Sequence, residues 1–333
     1  MSAVRTLTSR RISQLSHHLA ASSPRAMSSA PGSASPGPAP WRAAFLEHVT
    51  AMASPEFSLA TLHSAPSTAG TGTGAGAGAG AGVVPRLRTV IFRGLWASLP
   101  VNPKNTADLN PSAYESDLLT LTTDARMAKV PDLFGGSSSA SSSASSSGGG
   151  GGGPVEACFW TDAKVQWRVR GEAYVLGPDV DREASAGVRE TLLARMRRVP
   201  DKTASSSGDG GWSFAREVTA HFGNLSPMMR GTFRNPEPGT PRGAAAAAKN
   251  SPPPGGEDDR LKLGQKVEDL GDEVARANFR VVVIVPTEVD QTDLSESEDP
   301  RRWLYRFVGA AADGEPADGA ERSNGWEKVE LWP

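Results

Sequence analysis

From Phe57 to Leu331 the chain is a succession of short runs rich in β-forming residues, without regular strand–helix alternation. The runs are Phe57–Leu62, Leu87–Leu95, Leu118–Thr122, Val155–Trp160, Val165–Leu176, Phe279–Val285, Trp303–Val308 and Trp326–Leu331. Strands that follow one another in this way pair antiparallel, which favours an antiparallel barrel over a doubly wound parallel sheet. Helical patterns at Trp41–Met52, Ala125–Leu133, Val188–Arg198, Trp212–Phe222 and Leu261–Ala277 read as peripheral. The first of these places Trp41, Phe45, Val49 and Met52 on one stripe, as a helix packed on a core would.

The chain between these runs is unlike them. Gly (36) and Pro (26) make up about a fifth of the 333 residues, and much of that share lies in low-complexity stretches. Four inserts are expected, at about 65–82, 135–153, 203–211 and 236–258. Such tracts bury too little apolar surface to offset chain entropy, and loop closure tolerates their length. In the run Gly70–Gly82 every glycine sits at an even position, so the odd offset of a G-x-G-x-x-G phosphate loop cannot occur. Residues 41–333 therefore read as one domain with disordered inserts. Residues 1–40 read as a disordered leader: 1–46 contain no acid, Arg and Ser are frequent, and Val4, Leu7, Ile12, Leu15 and Leu19 share a helical face. That is the pattern of a mitochondrial or plastid presequence, with a cytoplasmic location as the alternative.

Several function classes fall away. A net charge of −2 gives no global basic field for nucleic acid, and no apolar run is long enough to cross a membrane as a helix. One cysteine, Cys158, excludes an intrachain disulfide and a cysteine-rich metal site; it reads as a buried small residue. The five histidines have no H-E-x-x-H spacing, and neither a G-x-S-x-G elbow nor a Walker lysine is present. His221 reads as a cap at a helix C-terminus, and Trp167 and Trp326 as core.

What remains is a recurrence of cations beside strand ends. Arg86, Arg88 and Arg93 accompany one strand, Arg126 and Lys129 follow Thr122 and Thr123, and Arg168 and Arg170 share a strand face with Gln166. Guanidinium, ammonium and hydroxyl groups gathered at a strand end suit a phosphate.

At these residues the chain resembles a known family. RTVIFRG (Arg88–Gly94), TTDARMAK (Thr122–Lys129) and VQWRVRGEA (Val165–Ala173) are similar, in that order, to the three FMN-binding strands of the pyridoxamine 5′-phosphate oxidase-like split β-barrels. LSPMMRGTF (Leu225–Phe233), RRWLYRF (Arg301–Phe307) and GWEKVELWP (Gly325–Pro333) continue the likeness. The resemblance implies a mainly β fold with peripheral helices, a split antiparallel barrel. It implies FMN as cofactor, bound at a homodimer interface, and an FMN-dependent oxidoreductase of pyridoxamine 5′-phosphate oxidase type with an unassigned small-molecule substrate. A non-catalytic flavin-binding or flavin-sensing module is the alternative. It implies that Arg88, Lys129 and Arg126 hold the phosphate, with Thr122 and Thr123 adding hydrogen bonds. Backbone groups of Thr89, Val90, Ile91 and Phe92 would line the ring edge, Arg93 would also bind the cofactor, Gln166 would reach the ring, and Arg302 and Arg306 would approach flavin or substrate. Met127 and Val165 depart from the pattern, and the oxidases' substrate segment has no counterpart, so FMN is implied and a particular substrate is not.

Overall fold

The computed structural model describes residues 37–65, 82–134, 149–199, 211–241, 266–310, 312, 315–316 and 318–333. The leader over 1–36, most of the four inserts and positions 261–265 lie outside the described residues.

Helix α1 (Arg42–Thr50) leads into strands β1 (Glu56–Ala65) and β2 (Gly82–Ile91). Then come β3 (Tyr114–Ser116), β4 (Leu119–Asp124), the short α2 (Lys129–Asp132), β5 (Gly150–Trp160) and β6 (Val165–Leu176). Helix α3 (Ala186–Leu193), β7 (Met196–Arg198), α4 (Phe214–Gly223), α5 (Pro227–Gly231) and α6 (Glu273–Asn278) form the helical part. Strands β8 (Phe279–Asp293), β9 (Arg301–Phe307), β10 (Ala320–Ser323) and β11 (Trp326–Leu331) complete the sheet. The main sheet runs β10-β11-β9-β8-β6-β5-β1-β2, all antiparallel.

Strand β8 is long enough to serve two neighbours along one edge. Its first half pairs with β4 and its second half with β9. Beyond β2 the backbone meets β4: Arg93 N–H donates to Thr120 O at 2.8 Å, Thr120 N–H to Gly94 O at 3.0 Å and Trp96 N–H to Leu118 O at 2.8 Å. These bonds close a ring β1–β2–β4–β8–β6–β5, from which β9, β11 and β10 splay away. This is the expected mainly β architecture with peripheral helices.

Two cores follow from strand alternation. Leu59, Phe159, Trp167, Val169, Val282 and Ile284 fill the ring, with Trp41, Phe45 and Val49 of α1 packed into it. Phe45 meets the Trp167 and Phe159 rings edge-on at 5.6 and 5.1 Å. The alternate residues of β8, Val281, Val283 and Val285, face the helical layer with Trp96, Phe222 and Phe233. Being covered on both sides explains why β8 carries an unbroken apolar run from Val281 to Pro286 rather than an alternating one.

Several expectations are corrected. The pattern at Ala125–Leu133 yields only one helical turn, because Asp124 Oδ1 accepts the Arg126 N–H at 2.8 Å and makes a turn first. The pattern at Val188–Arg198 breaks after Leu193, and Met196–Arg198 pairs with β3 instead. In Leu261–Ala277 the described helix is α6 alone, starting at Glu273. The insert read up to 153 ends earlier, since Gly150–Gly153 open β5. A Cβ at Gly153 would stand 2.6 Å from the Leu133 carbonyl carbon and one at Gly150 would collide with the Phe134 ring, so glycine is required there to let the strand pass. Ala39, read as part of a leader, is packed in the fold: it is buried and its N–H donates to Asp117 Oδ2 at 3.0 Å. Cys158 is half-buried rather than buried, because its place in β5 turns it outward; burial still pushes its thiol up, although the Arg168 charge opposes this.

Candidate functional site

At one mouth of the ring, inward residues of β1 and β2 meet the start of α2. Arg88 lies opposite Leu59 in the ladder and so faces inward. Its Nη1 donates to Thr61 Oγ1 at 2.7 Å and its Nη2 to Asp132 Oδ2 at 3.3 Å. Thr61 Oγ1 in turn donates to Asp132 Oδ2 at 2.8 Å, and His63 Nδ1 stands 2.7 Å from Asp132 Oδ1. Lys129 is buried, and its Nζ donates to Thr123 Oγ1 at 2.9 Å. Desolvation pulls the Lys129 ammonium below its ordinary range; the Arg88 charge adds to this and Asp124 opposes it. Two cations thus lie within electrostatic reach of each other, one of them buried with a hydroxyl for partner. A buried cation in that state is costly until an anion joins it. The donor set, a fork, a point charge and a hydroxyl, fits a phosphate.

The structure does not bring all thirteen expected residues together. Arg126 turns away: it grips Asp124 with Nε at 2.9 Å and Nη2 at 2.7 Å, and gives Nη1 to Asn235 O at 2.9 Å. It ties the end of β4 to the segment after α5 and is removed from the phosphate set. Arg126→Ala is expected to lower stability by about 1–3 kcal/mol and leave flavin affinity within about threefold, read by denaturant unfolding and flavin titration. Thr123 is the hydrogen-bond partner of Lys129, whereas Thr122 alternates to the opposite face of β4. Val90 of β2 and Phe92 just after it pack on the ring core, while Thr89 and Ile91 face outward. Among the described residues the pairing with β4 begins only at Arg93, beyond β2, so β2 remains the last strand of the sheet order and the backbone of Thr89–Ile91 lies on its edge. Arg93 is separated from Arg88: it lines a cavity of about 280 Å³ with Val49, Met52, Pro55, Phe92 and Asn224. Its Nε is buried without a hydrogen-bond partner, and desolvation lowers its pKa.

Gln166, Arg302 and Arg306 sit on the outer face of the sheet. Gln166, Thr292 and Arg302 form one row across β6, β8 and β9. In the next row Asp290 accepts from Arg302 Nη2 at 2.8 Å and from Arg168. Burial alone would raise the Asp290 carboxyl, but the Arg302 and Arg168 bonds and charges outweigh it and hold it below the usual carboxylate range. Beyond it Glu288 pairs with Arg306 and Arg170, each at 3.2 Å. Arg302 and Arg306 are therefore held by carboxylates on the outer face.

Sequence reading missed Thr61, His63, Asp132 and Asp290. Asp132 lies three residues after Lys129, a helical spacing visible in the sequence. Thr61 and His63 share a strand face, but nothing local shows that this face meets Arg88. Trp167 and Trp326 are buried in the ring core, as read. His221 is not a cationic cap: it is wholly buried, stacked on Trp96 at 5.8 Å, and desolvation with the Arg93 charge holds its pKa down to about 3. Among the described residues there is no cluster of metal-ligating side chains and no helix long and apolar enough to cross a membrane.

Residues 38–177 match the family model described as pyridoxamine 5′-phosphate oxidase, FMN-binding domain. The matched segment contains Arg88, Thr123, Lys129 and Gln166, and the family it matches is FMN-binding. One similar solved structure is a pyridoxamine 5′-phosphate oxidase-related, FMN-binding protein from Nostoc punctiforme. It is 19% identical, covers 89% of this chain and 100% of that one, and has a TM-score of 0.45. Another is PhzG from Burkholderia lata in complex with tetrahydrophenazine-1-carboxylic acid, 12% identical over 82% of this chain and 81% of that one, at a TM-score of 0.34. No curated protein matches the chain.

Proposed function

We propose that the chain holds the FMN phosphate at the ring mouth with Arg88, Lys129 and Thr123, and works as a flavin-dependent oxidoreductase. The observation that carries this is Lys129: a buried ammonium beside a second cation, with a hydroxyl as its hydrogen-bond partner. The edge backbone of Thr89–Ile91 would hydrogen-bond the ring system, and Gln166 with Arg302 would face its reactive side. When bound, the flavin supplies hydride and electron transfer; the chain binds, orients and excludes water. Asp290 keeps Arg302 and Arg168 fixed for that task.

A homodimer formed through the outer face belongs to the same proposal. Leu62, Leu87 and Trp160 point outward there at 50%, 69% and 55% exposure, apolar surface that a second copy would cover. Light scattering should then give a dimer, and Leu87→Asp a monomer with weakened FMN.

The second reading, a flavin-binding module without turnover, is favoured by the outer face itself: Arg168, Arg170, Arg302 and Arg306 are all engaged by Asp290 or Glu288, leaving no evident acid or base. The purified chain should show flavin absorbance. Bleaching on anaerobic mixing with NADPH or pyridoxamine 5′-phosphate supports the enzyme; a yellow protein that neither reagent bleaches supports the module; a colourless chain that FMN does not stabilise rejects both.

A further inference from the structure

Asp132 is a puzzle for a phosphate site. It is a buried carboxylate, 7% exposed, placed where an incoming anion would be repelled. It already accepts from Arg88 at 3.3 Å and Thr61 at 2.8 Å through Oδ2. Its other oxygen, Oδ1, faces His63 Nδ1 at 2.7 Å. A carboxylate only accepts, so Nδ1 carries the hydrogen, and the free ring position for a proton is Nε2. The His63 side chain is 35% exposed, enough for a proton to reach it from water.

We propose that Asp132 and His63 form an exchange latch in the phosphate subsite. Asp132 is the counter-ion of Arg88 while no phosphate is bound. An incoming phosphate draws the Arg88 fork to itself, and the charge left on Asp132 is then met by His63, which takes one proton from solvent at Nε2. No bond other than that N–H forms. This rests on the FMN reading above and deepens it, because it makes cofactor retention depend on pH through residues outside the phosphate contacts.

The charged surroundings agree. His63 stands on β1 opposite Val84 of β2. The charged groups gathered around the pair are Arg88 from β2 and Asp132 and Lys129 from α2, with Arg86 at the ladder position opposite Thr61. Asp132 is the acid among them in contact with the ring, so it is the charge that His63 would answer. Histidine is the side chain suited to change charge near neutrality.

The test uses the full chain, with FMN and riboflavin as probes. FMN affinity is titrated by flavin fluorescence from pH 6 to 8, and proton uptake is read by calorimetry in two buffers of different ionisation heat. Wild type should bind FMN more weakly as pH rises, by at most about tenfold per unit for a one-proton linkage. The phosphate's own titration runs the other way and is common to all variants. His63→Gln should lose the weakening and the proton uptake. Asp132→Asn should also lose them and bind FMN tighter, by about tenfold, since Arg88 is no longer shared. Riboflavin, lacking the phosphate, should show none of these effects. A His63→Gln slope equal to wild type overturns the latch, and that variant decides alone if Asp132→Asn does not fold. Weaker FMN binding by a folded Asp132→Asn also overturns it. If wild type binds no FMN at any pH, the failure lies with the FMN reading, and the latch falls with it.

Discussion

Replacing Lys129 by Met is expected to weaken FMN binding about 10- to 150-fold while leaving the flavin-free chain as stable as before, or more so. One charge-assisted contact to a phosphate contributes about 1.5–3 kcal/mol, which sets the affinity range. The stability half of the prediction follows from burial. Lys129 is buried, its ammonium is pulled down by desolvation and by the Arg88 charge, and its Nζ donates to Thr123. Met keeps the length of the chain and removes an ill-compensated charge, a change that is often neutral or stabilising. A residue kept for folding behaves in the opposite way. Arg88→Ala should weaken FMN over a similar range, but it also leaves Asp132 without its guanidinium and so should cost stability. Titration with FMN and thermal melting without it separate the two. Unchanged FMN affinity in Lys129→Met would place the phosphate elsewhere.

The second large effect concerns acid. His221 is fully buried against Trp96, and its Nε2 has no hydrogen-bond partner. Desolvation first, and the Arg93 charge second, hold its pKa at about 3. An unfolded chain takes up the proton near pH 6.5, whereas the folded chain refuses it until far lower. Below pH 6.5 the unfolded state therefore binds more protons, and stability falls as pH falls towards 3. Between pH 6.5 and 5 the loss from this one residue is about 2 kcal/mol. Glu217, one turn away, opposes it: desolvation raises its pKa against the bonds from Asn110 and Ala97, so the folded state binds its proton more readily. His221→Phe preserves the aromatic stack and removes the titration. Urea midpoints should drop much less between pH 7 and 5 in His221→Phe than in wild type; parallel drops would show that the buried imidazole is not the acid-sensitive element.

Much of the ring was legible because its strands obey simple alternation. In β6, Val165, Trp167 and Val169 turn inward while Gln166, Arg168 and Arg170 turn outward, and that period is plain in the sequence. Helix α1 was equally plain from the stripe of Trp41, Phe45 and Val49. The residues proposed for the phosphate were suggested by the order of three motifs; the structure pairs Lys129 with Thr123 and sets Arg88 within electrostatic reach of Lys129. The misreadings share a cause: the deciding contact is long-range or is made by backbone. Arg126 had the right charge and spacing, yet Asp124 and two distant carbonyls, Phe233 and Asn235, claim it. Gly150–Gly153 looked like the end of a spacer, but they are the glycines that let β5 pass Leu133 and Phe134. Asp132 and His63 lie 69 residues apart, and only the closure of β1 against α2 brings them to 2.7 Å.

The phosphate is the deciding group. Parallel titration of the full chain with FMN and riboflavin at pH 7 and low salt tests it, because the two probes differ in that group alone. With Arg88 and Lys129 both engaged, FMN should bind at one per chain and at least about 100-fold tighter than riboflavin. Equal affinities for the two would contradict a phosphate site at the ring mouth.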